Sequence, residues 1–241
     1  MWEFAHHERL PRKESMKLSK RIKSNAEQVE KDKVYTVEEA IELAKKTANT
    51  KFVGSVELHI KTAIDAKKTD QAIRGSVTLP HGTGKTKRIA AFVTESREAE
   101  AKAAGAEVVG GEELIKKIKE TEKTDFEIAI AEPAMMPKLA GIAKILGTRG
   151  LMPNPKTGTV SENVAGAIKE IAGGKISFKN DNTGNIHQII GKTNFDSAQL
   201  LDNLKKLVEA IHAVKPAAVK KQFVLSMTLN ATMGPGIKFK M

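Results

Sequence analysis

The stretch RIAAFVTESREAEAKAAGAEVVGGEELIKKIKETEKTDFEIAIAE, residues 88–132, decides the fold class of this chain. Apolar runs at residues 88–93 and 126–132 flank two segments with helical spacing, which are separated by a short apolar segment at residues 106–111. Continuous apolar strands that alternate with short helices are typical of a parallel sheet covered on both faces. This stretch therefore predicts an α/β arrangement.

The segment before this stretch follows a different pattern. Val56, Leu58 and Ile60 alternate with polar residues, which is typical of a strand with one buried face. Residues 74–80 form a second short strand, and a capping-box spacing that starts at Thr36 predicts a helix ahead of both. Helix and half-buried strands together indicate an α+β segment.

In the segment after this stretch, apolar and polar residues alternate again, which is typical of strands with one buried face. Residues 175–179 and 185–190 flank a turn-rich tip, and we predict that they pair as a hairpin. A helix capped by Asp196 or Ser197 follows, and a final strand is predicted at residues 223–230.

Charge divides the chain at the same points. The chain of 241 residues carries a net charge of +11; residues 83–173 hold 14 Lys and Arg against 13 Asp and Glu, a net of +1, so the two ends carry +10. This excess indicates a polyanion-binding unit, with a merely solvated basic surface as the alternative.

Charge and hydrophobic period together predict two domains of the α/β class. Residues 16–82 and 174–241 form a discontinuous α+β domain with a split β-α-β-like arrangement, and residues 83–173 form an inserted Rossmann-like three-layer α/β domain. Residues 1–15 are interpreted as a polar extension. Glycine pairs at both crossing points would allow a hinge.

Composition excludes several classes of protein. The chain has no Cys, which removes disulfides, thiolate metal sites and a Cys nucleophile, and which fits the reducing cytoplasm. No apolar run approaches the ~18 residues needed to span a bilayer, and residues 1–15 lack the apolar core of a secretion signal. We predict a cytoplasmic protein with no membrane partner.

The motifs give enzyme chemistry no support. Residues 82–86, GTGKT, end like a phosphate-binding loop, but Leu79 stands where that motif needs Gly, so an interdomain turn is favoured over a nucleotide site. The six His lack metal-site spacing, and no Ser lies in a nucleophile-elbow sequence. We predict no enzyme, no cofactor and no metal; an RNA-tethered enzyme that uses the inserted domain is the alternative.

In the run GIAKILGTRGLMPNPKTGTV, residues 141–160, a short apolar helix is predicted to break into a loop that carries two basic side chains, Arg149 and Lys156. Its Gly and Pro residues are spaced too closely for a helix or strand to continue through them. A sharp structural turn and an anion-binding surface both remain open.

The last strand offers a polar face. Ser226, Thr228 and Asn230 point to one side, and the strand runs into ATMGPG at residues 231–236. A row of polar side chains on a solvent-facing strand face is also expected from solubility alone. Gly residues that admit a sugar–phosphate backbone and hydroxyls that reach a 2′-OH favour folded RNA instead, and no basic recognition helix for a DNA groove is apparent.

An ordered set of motifs resembles the large-subunit ribosomal protein L-one family. The motifs are Lys51-Phe52, SVELHIK at 55–61, Thr69-Asp70-Gln71, RGSVTLPHGTGK at 74–85, GTRGLMPNPKTGTV at 147–160, FKNDNTGNIH at 178–187 and TMGP at 232–235. The resemblance covers nearly everything from Met16 to Lys240. It implies a two-domain protein of the large ribosomal subunit that binds the rRNA stalk segment and moves as deacylated exit-site tRNA leaves. It also implies repression of the protein's own operon mRNA.

The resemblance further implies a set of rRNA contacts. They are Lys51, Phe52, Ser55, Asp181, Thr183, Gly184, Ser226, Thr232, Met233 and Gly234. Glu42 is expected to orient this surface, and His187 is either a polar surface residue or an RNA contact. Ser55 stands where many members have Thr. Asn182 stands where Lys is common, which removes one possible phosphate contact.

Overall fold

The computed structural model describes residues 19–30, 33–66, 68–219 and 222–241, so the predicted extension at residues 1–15 lies outside the described residues. The helices are α1 (Lys20–Glu27), α2 (Val37–Thr47), α3 (Glu98–Ala103), α4 (Glu112–Thr121), α5 (Met136–Leu139), α6 (Ala143–Thr148), α7 (Val164–Ala172) and α8 (Ser197–Ala213). The strands are β1 (Ser55–Thr62), β2 (Arg74–Thr78), β3 (Ile89–Phe92), β4 (Val108–Gly110), β5 (Ile128–Ala131), β6 (Lys175–Lys179), β7 (Asn185–Lys192), β8 (Val224–Ala231) and β9 (Gly236–Phe239).

The largest sheet is antiparallel and has the strand order β7-β1-β8-β9. Val56, Leu58 and Ile60 of β1 are buried on one face, as their alternation predicts, and they share a hydrophobic cluster with residues of α2 and α8. Successive side chains of a strand point to opposite faces, so the polar residues between them stand on the other face. That face remains accessible to solvent.

The two helices that cover this sheet begin at the predicted caps. At α2, Glu39 N–H donates to Thr36 Oγ1 at 3.4 Å, and Thr36 N–H donates to Glu39 Oε2 at 3.0 Å. Asp196 and Gln199 form the equivalent capping box at α8. Each box satisfies backbone donors that the first helical turn would otherwise leave unpaired.

The second large sheet is parallel, with the order β4-β3-β5. Ala90 and Phe92 contribute to a hydrophobic cluster with α4 on one face, whereas Ile89, Ala91 and Val93 contribute to a cluster with α3 and α7 on the other. The predicted parallel sheet with both faces covered is therefore confirmed, and so is the mixed α/β class.

The hydrophobic clusters separate along the chain. The cluster beneath the antiparallel sheet draws its residues from positions 29–79 and 176–239, and the other two clusters draw theirs from positions 89–171. Between these groups the chain passes Gly82 and Gly174 side by side, since a Cβ added to Gly174 would lie 2.5 Å from Gly82 Cα. Both have positive φ, +62° and +103°, which glycine adopts without strain.

A buried amide holds the first crossing in place. Asn203 of α8 is fully buried, donates from Nδ2 to Gly82 O at 2.9 Å, and accepts at Oδ1 from His81 N–H at 3.1 Å. Residues 83–88 then run into β3 without forming a helix, so the helix that a phosphate-binding loop requires does not follow the GTGKT segment.

The predicted hairpin of residues 175–179 and 185–190 is wrong. β6 pairs with β2 in a separate two-stranded ladder, while β7 pairs along its length with β1, and only an isolated bridge joins Asn180 to Ile186. All five residues of β6 pair with β2, and β7 pairs with β1, so both strands find their backbone partners in strands that are distant in sequence. The four-residue turn between them therefore joins two sheets.

Two further expectations need correction. The sequence also predicts a helix that starts at Ser161-Glu162, but α7 begins at Val164. Ser161 N–H instead donates to Ala131 O at 3.2 Å and extends the parallel sheet, and Asn163 Oδ1 accepts from Gly166 N–H at the start of the helix. Strand β9 was not predicted. It pairs antiparallel with β8 beyond the ATMGPG turn.

Candidate nucleic-acid interface

The uncovered face of the antiparallel sheet brings polar side chains from three strands into register. His59 of β1 lies opposite His187 of β7 and Thr228 of β8, and Lys61 lies opposite Ser226. We call this surface, completed by Glu57 opposite Asn230, the open face. It contains the predicted residues Ser226 and His187, both exposed.

The turn at residues 181–184, the Asp181 turn, closes one end of the open face. Asp181 Oδ1 accepts from Asn185 N–H at 2.7 Å and from Thr183 N–H at 2.9 Å, and Thr183 Oγ1 donates to the same carboxylate. These bonds, the one from Asn185 N–H first, hold the pKa of Asp181 well below its usual range. His187 Nε2 lies 3.4 Å from Asp181 Oδ2 and adds to the effect.

Gly184 is required by the shape of this turn. Its φ is +81°, and a Cβ there would lie 3.1 Å from both Ile64 Cγ1 and Ile64 O. Its carbonyl accepts from Thr62 N–H and Thr62 Oγ1. The turn is therefore fastened to the end of β1, and the carboxylate keeps its charge at the rim of the open face.

The turn at residues 232–235, the Thr232 turn, closes the other end. Thr232 Oγ1 accepts from Ser55 N–H at 2.9 Å and donates to Ser55 O at 3.2 Å. Ser55 is 9% exposed, and its hydroxyl lies 3.1 Å from Lys192 Nζ. The Thr232 hydroxyl therefore holds the backbone at Ser55, and the rRNA contacts of both residues stay predictions.

The Thr232 turn also presents apolar side chains. Met233 has φ +65° and is 64% exposed, and Phe52, in the segment before β1, is 58% exposed. Gly234 makes the turn possible, since a Cβ there would lie 3.1 Å from Ala231 O. Large apolar side chains that stay exposed are candidates for a binding surface.

The structure does not gather the predicted contacts into one cluster. The Asp181 turn joins the carboxyl end of β1 and the Thr232 turn its amino end, so the eight residues of β1 separate them by about 23 Å at ~3.3 Å per residue. The contacts lie at both ends of a single open face, and Ser226 stands near its Asp181 end. A ligand that reaches all of them must be extended.

Two predicted residues have little contact with this arrangement. Lys51 is exposed in the segment before β1. Glu42 lies on the exposed side of α2, with its carboxylate 3.9 Å from Lys46 Nζ. Among the described residues, no hydrogen bond joins Glu42 to the other predicted contacts, so its orienting role stays a prediction.

Two residues outside the predicted set of rRNA contacts, His59 and Lys192, also lie at this surface. His59 Nδ1 lies 2.8 Å from His187 Nδ1. When both rings are neutral, one of these nitrogens carries a proton and donates it to the other. Burial, and then the charge of His187, lower the pKa of His59, while Glu57 opposes the shift. The alternation of β1 predicts His59 on the polar face of the strand, where the structure has it. Nothing local could have indicated Lys192, whose partner Ser55 is far away in sequence.

Within residues 141–160, the predicted short helix is α6, and the loop that follows it is held by hydrogen bonds within the protein. Arg149 Nη2 donates to Glu122 O at 2.9 Å, and Nη1 donates to Thr124 Oγ1. Asn154 accepts from Lys156 N–H at 2.8 Å and opens a short 3₁₀ turn. The structural alternative therefore holds for Arg149, whose donors are engaged within the protein.

Within the described ranges, no three His, Asp or Glu side chains converge to hold a metal ion. No helix in the described part of the chain is both long enough and apolar enough to cross a membrane.

Comparison with known proteins identifies the family. A family model described as "Ribosomal protein L1p/L10e family" matches residues 44–235. The "Large ribosomal subunit protein uL1" of Mycoplasma capricolum is 50% identical over 222 residues, covering 92% of this chain and 98% of that protein. The protein of the same name from Thermosipho africanus is 50% identical and covers 92% and 96%, and that from Thermobifida fusca is 46% identical and covers 92% and 94%. The resemblance drawn from the motifs is confirmed: the chain belongs to the ribosomal protein L1p/L10e family.

Proposed function

We propose that this chain is a protein of the large ribosomal subunit that binds rRNA through the open face and the turns at its two ends. The observation that carries the proposal is the position of the predicted contacts, which frame the one large sheet face that α2 and α8 leave uncovered. The family consists of structural, non-enzymatic proteins, so the chain is not an enzyme and the RNA-tethered enzyme is set aside. Its location is the cytoplasmic ribosome.

The chemistry of the open face suits folded RNA. Hydroxyl, amide and imidazole groups at Ser226, Thr228 and His187 can bond to 2′-OH groups and phosphate oxygens. Phe52 and Met233 offer apolar surface against which an unstacked base or a ribose can pack.

The partners follow from this surface and from the family. The rRNA partner is the stalk segment of the large subunit, and a mobile stalk would contact exit-site tRNA as it leaves. The open face would also bind an operon mRNA that imitates the rRNA, which would repress translation of that operon. One RNA-shaped surface serves rRNA and mRNA in turn, so the two RNAs are expected to compete.

We also propose the two-domain division. Residues 16–82 and 174–241 form the RNA-binding domain, and residues 83–173 form an inserted Rossmann-like domain. Separate hydrophobic clusters and the adjacent crossings at Gly82 and Gly174 support this division.

The test is binding of the full chain to its organism's stalk rRNA fragment and to duplex DNA of equal length at physiological salt. We expect a dissociation constant in the nanomolar range for the rRNA and at least about a hundredfold preference over DNA. Equal, weak binding to both would show that the basic ends only attract polyanions, and would end the proposal.

A matched pair of variants locates the contact. Met233→Asp places a negative charge at the Thr232 turn, and Leu225→Asp places the same charge on β8 at a side chain that is 50% exposed and outside the open face. The two substitutions change the net charge equally, so a difference in their rRNA affinity reports a contact at Met233. We expect at least about tenfold weaker rRNA binding for Met233→Asp and about twofold or less for Leu225→Asp.

A further inference from the structure

A cleft lies away from the open face, between the β2–β6 ladder on one side and the loop at residues 147–159 with the start of β5 on the other. It encloses about 460 Å³, which is within the range of small-ligand sites. None of the predicted rRNA contacts lines this cleft. Its walls come from both parts of the chain that the crossings at Gly82 and Gly174 separate.

Four basic side chains line the cleft, namely Arg74, Lys87, Lys175 and Lys179. Arg74 and Lys179 stand directly opposite each other in the ladder. Like charges at directly opposed positions destabilise a strand pair, because their side chains are about 5 Å apart at Cβ. An anion bound between the two side chains would attract both of them and so offset their mutual repulsion.

Carboxylates do not balance these charges. Glu127 is the acidic residue of the cleft lining, and its Oε1 already lies 2.8 Å from Lys85 Nζ. Lys175 Nζ pairs with Glu170 at 2.7 Å. Among the residues that the structure describes, Arg74, Lys87 and Lys179 have no carboxylate oxygen within 4.0 Å.

Lys87 faces the ladder from the opposite wall. Burial, the largest cause, and the nearby Lys85 lower the pKa of Lys87, while Glu127 opposes them. A half-buried cation beside other cations is favoured in its charged form when an anion lies near it. The two walls therefore present three unpaired cations to the space between them.

The remaining lining argues against base recognition. Phe178, the aromatic residue of the lining, is 2% exposed, with its side chain in the hydrophobic cluster beneath the antiparallel sheet. Thr157 and Thr159 hydrogen-bond within their own loop, each reaching Asn154 O. Positive charge is thus the main feature that the cleft offers to a ligand.

We propose that this cleft is a phosphate-binding site, in which Arg74 and Lys179 on one wall and Lys87 on the other hold phosphate groups. The phosphates belong either to an RNA backbone or to a free polyphosphate, since both present the same anionic oxygens. Because the walls come from different parts of the chain, a bound phosphate group also holds them together. This site is separate from the proposed rRNA surface.

The test is titration of the full chain with sodium triphosphate by isothermal titration calorimetry, with ionic strength held constant by NaCl. We expect a millimolar or tighter dissociation constant for the parent, which corresponds to about −4 kcal/mol. Lys87→Gln and Lys179→Gln should each weaken it at least about tenfold, since each removes a charge-assisted bond. Lys205→Gln removes an exposed positive charge on α8 and should change it by about twofold or less.

Each outcome decides the proposal. No binding to the parent at about 10 mM triphosphate, or equal weakening by Lys205→Gln and Lys87→Gln, would overturn it. A short oligouridylate that displaces triphosphate assigns the site to RNA backbone, and one that does not assigns it to free polyphosphate. The same variants should bind stalk rRNA within about threefold of the parent; parallel loss of both ligands would make the cleft part of the rRNA surface and refute a separate site.

Discussion

The two large sheets of this protein differ in how many of their faces are buried. The antiparallel sheet β7-β1-β8-β9 buries one face under α2 and α8 and leaves the other accessible, whereas the parallel sheet β4-β3-β5 packs apolar residues on both faces. The same difference is visible in the sequence: apolar and polar residues alternate along β1, whereas every residue of β3 is buried. A sheet with a free face can bind a broad ligand directly.

The difference also explains where the charge lies. A sheet covered on both faces can bind only through the loops at its ends, and residues 83–173 around it carry a net charge of +1. The segments that build the antiparallel sheet carry +10. The positive charge therefore attracts a polyanion to the part of the molecule that has an accessible sheet face.

The largest expected effect separates the two kinds of strand position. Ile130→Ala in β5 removes a fully buried side chain and should lower the free energy of unfolding by about 2–5 kcal/mol. Leu58→Ala, on the buried face of β1, should cost a similar amount. Thr228→Ala, on the open face, should cost about 1 kcal/mol or less.

Urea denaturation followed by circular dichroism measures all three variants. A loss at Thr228 as large as that at Leu58 would show that the open face is packed in solution. That result would remove the basis of the comparison between the sheets.

The next effect concerns RNA. Thr232→Ala removes both hydrogen bonds to the backbone of Ser55 and should weaken stalk rRNA binding by about 1–3 kcal/mol, or roughly five- to a hundredfold. Thr121→Ala is the control, because it also removes a hydroxyl that donates to a carbonyl, here Lys117 O, but at the end of α4. Thr232→Ser, which keeps the hydroxyl, should restore most of the affinity. Parent-like binding by Thr232→Ala would place the site elsewhere.

Most of the fold could be predicted because its signals are local. The capping box at Thr36, the alternation of β1 and the apolar runs of β3 and β5 each depend on neighbouring residues, and each element is found where expected. Strand pairing depends on distant residues. The partner of β6 is β2, about a hundred positions earlier, and no feature of the turn at residues 181–184 shows that its flanking strands enter different sheets.

The candidate site was predicted from motif resemblance, and the motifs could not show which side chains are exposed and which are hydrogen-bonded within the protein. Ser55 and Thr232 belong to the motifs, yet their hydroxyls are engaged with Lys192 and with the Ser55 backbone. Met233 and Phe52 belong to the same motifs and are exposed. Exposure and hydrogen bonding depend on the folded environment, so the distinction needs the structure.

A smaller effect is expected from pH. The pKa of His59 is lowered in the folded chain, so the unfolded chain takes up its proton first and stability falls as pH drops through about 6.5. The phosphates of a bound RNA would favour the charged form of the His59 ring, so RNA binding is accompanied by uptake of a proton. Asp181 and Glu57 already provide negative charge near the histidine pair, which limits the size of this effect. We expect rRNA affinity to rise about two- to tenfold from pH 8 to pH 6 at constant ionic strength.

His59→Gln should flatten this dependence, whereas His212→Gln on α8, outside the open face, should leave it unchanged. Fluorescence anisotropy with labelled stalk rRNA measures the slope. An equal slope in the parent and in His59→Gln would exclude His59 as its source.

The smallest effect is expected from removing the parallel sheet altogether. A chain that joins residues 16–82 to 174–241 through a short linker should fold, because Gly82 and Gly174 are already adjacent and the cluster beneath the antiparallel sheet contains no residue from 83–173. It should bind stalk rRNA within about threefold of the parent, since every predicted contact remains. Folding is checked by circular dichroism and binding by anisotropy. A folded chain that no longer binds would assign recognition to residues 83–173, and the sheet without a free face would then be the one that contacts RNA.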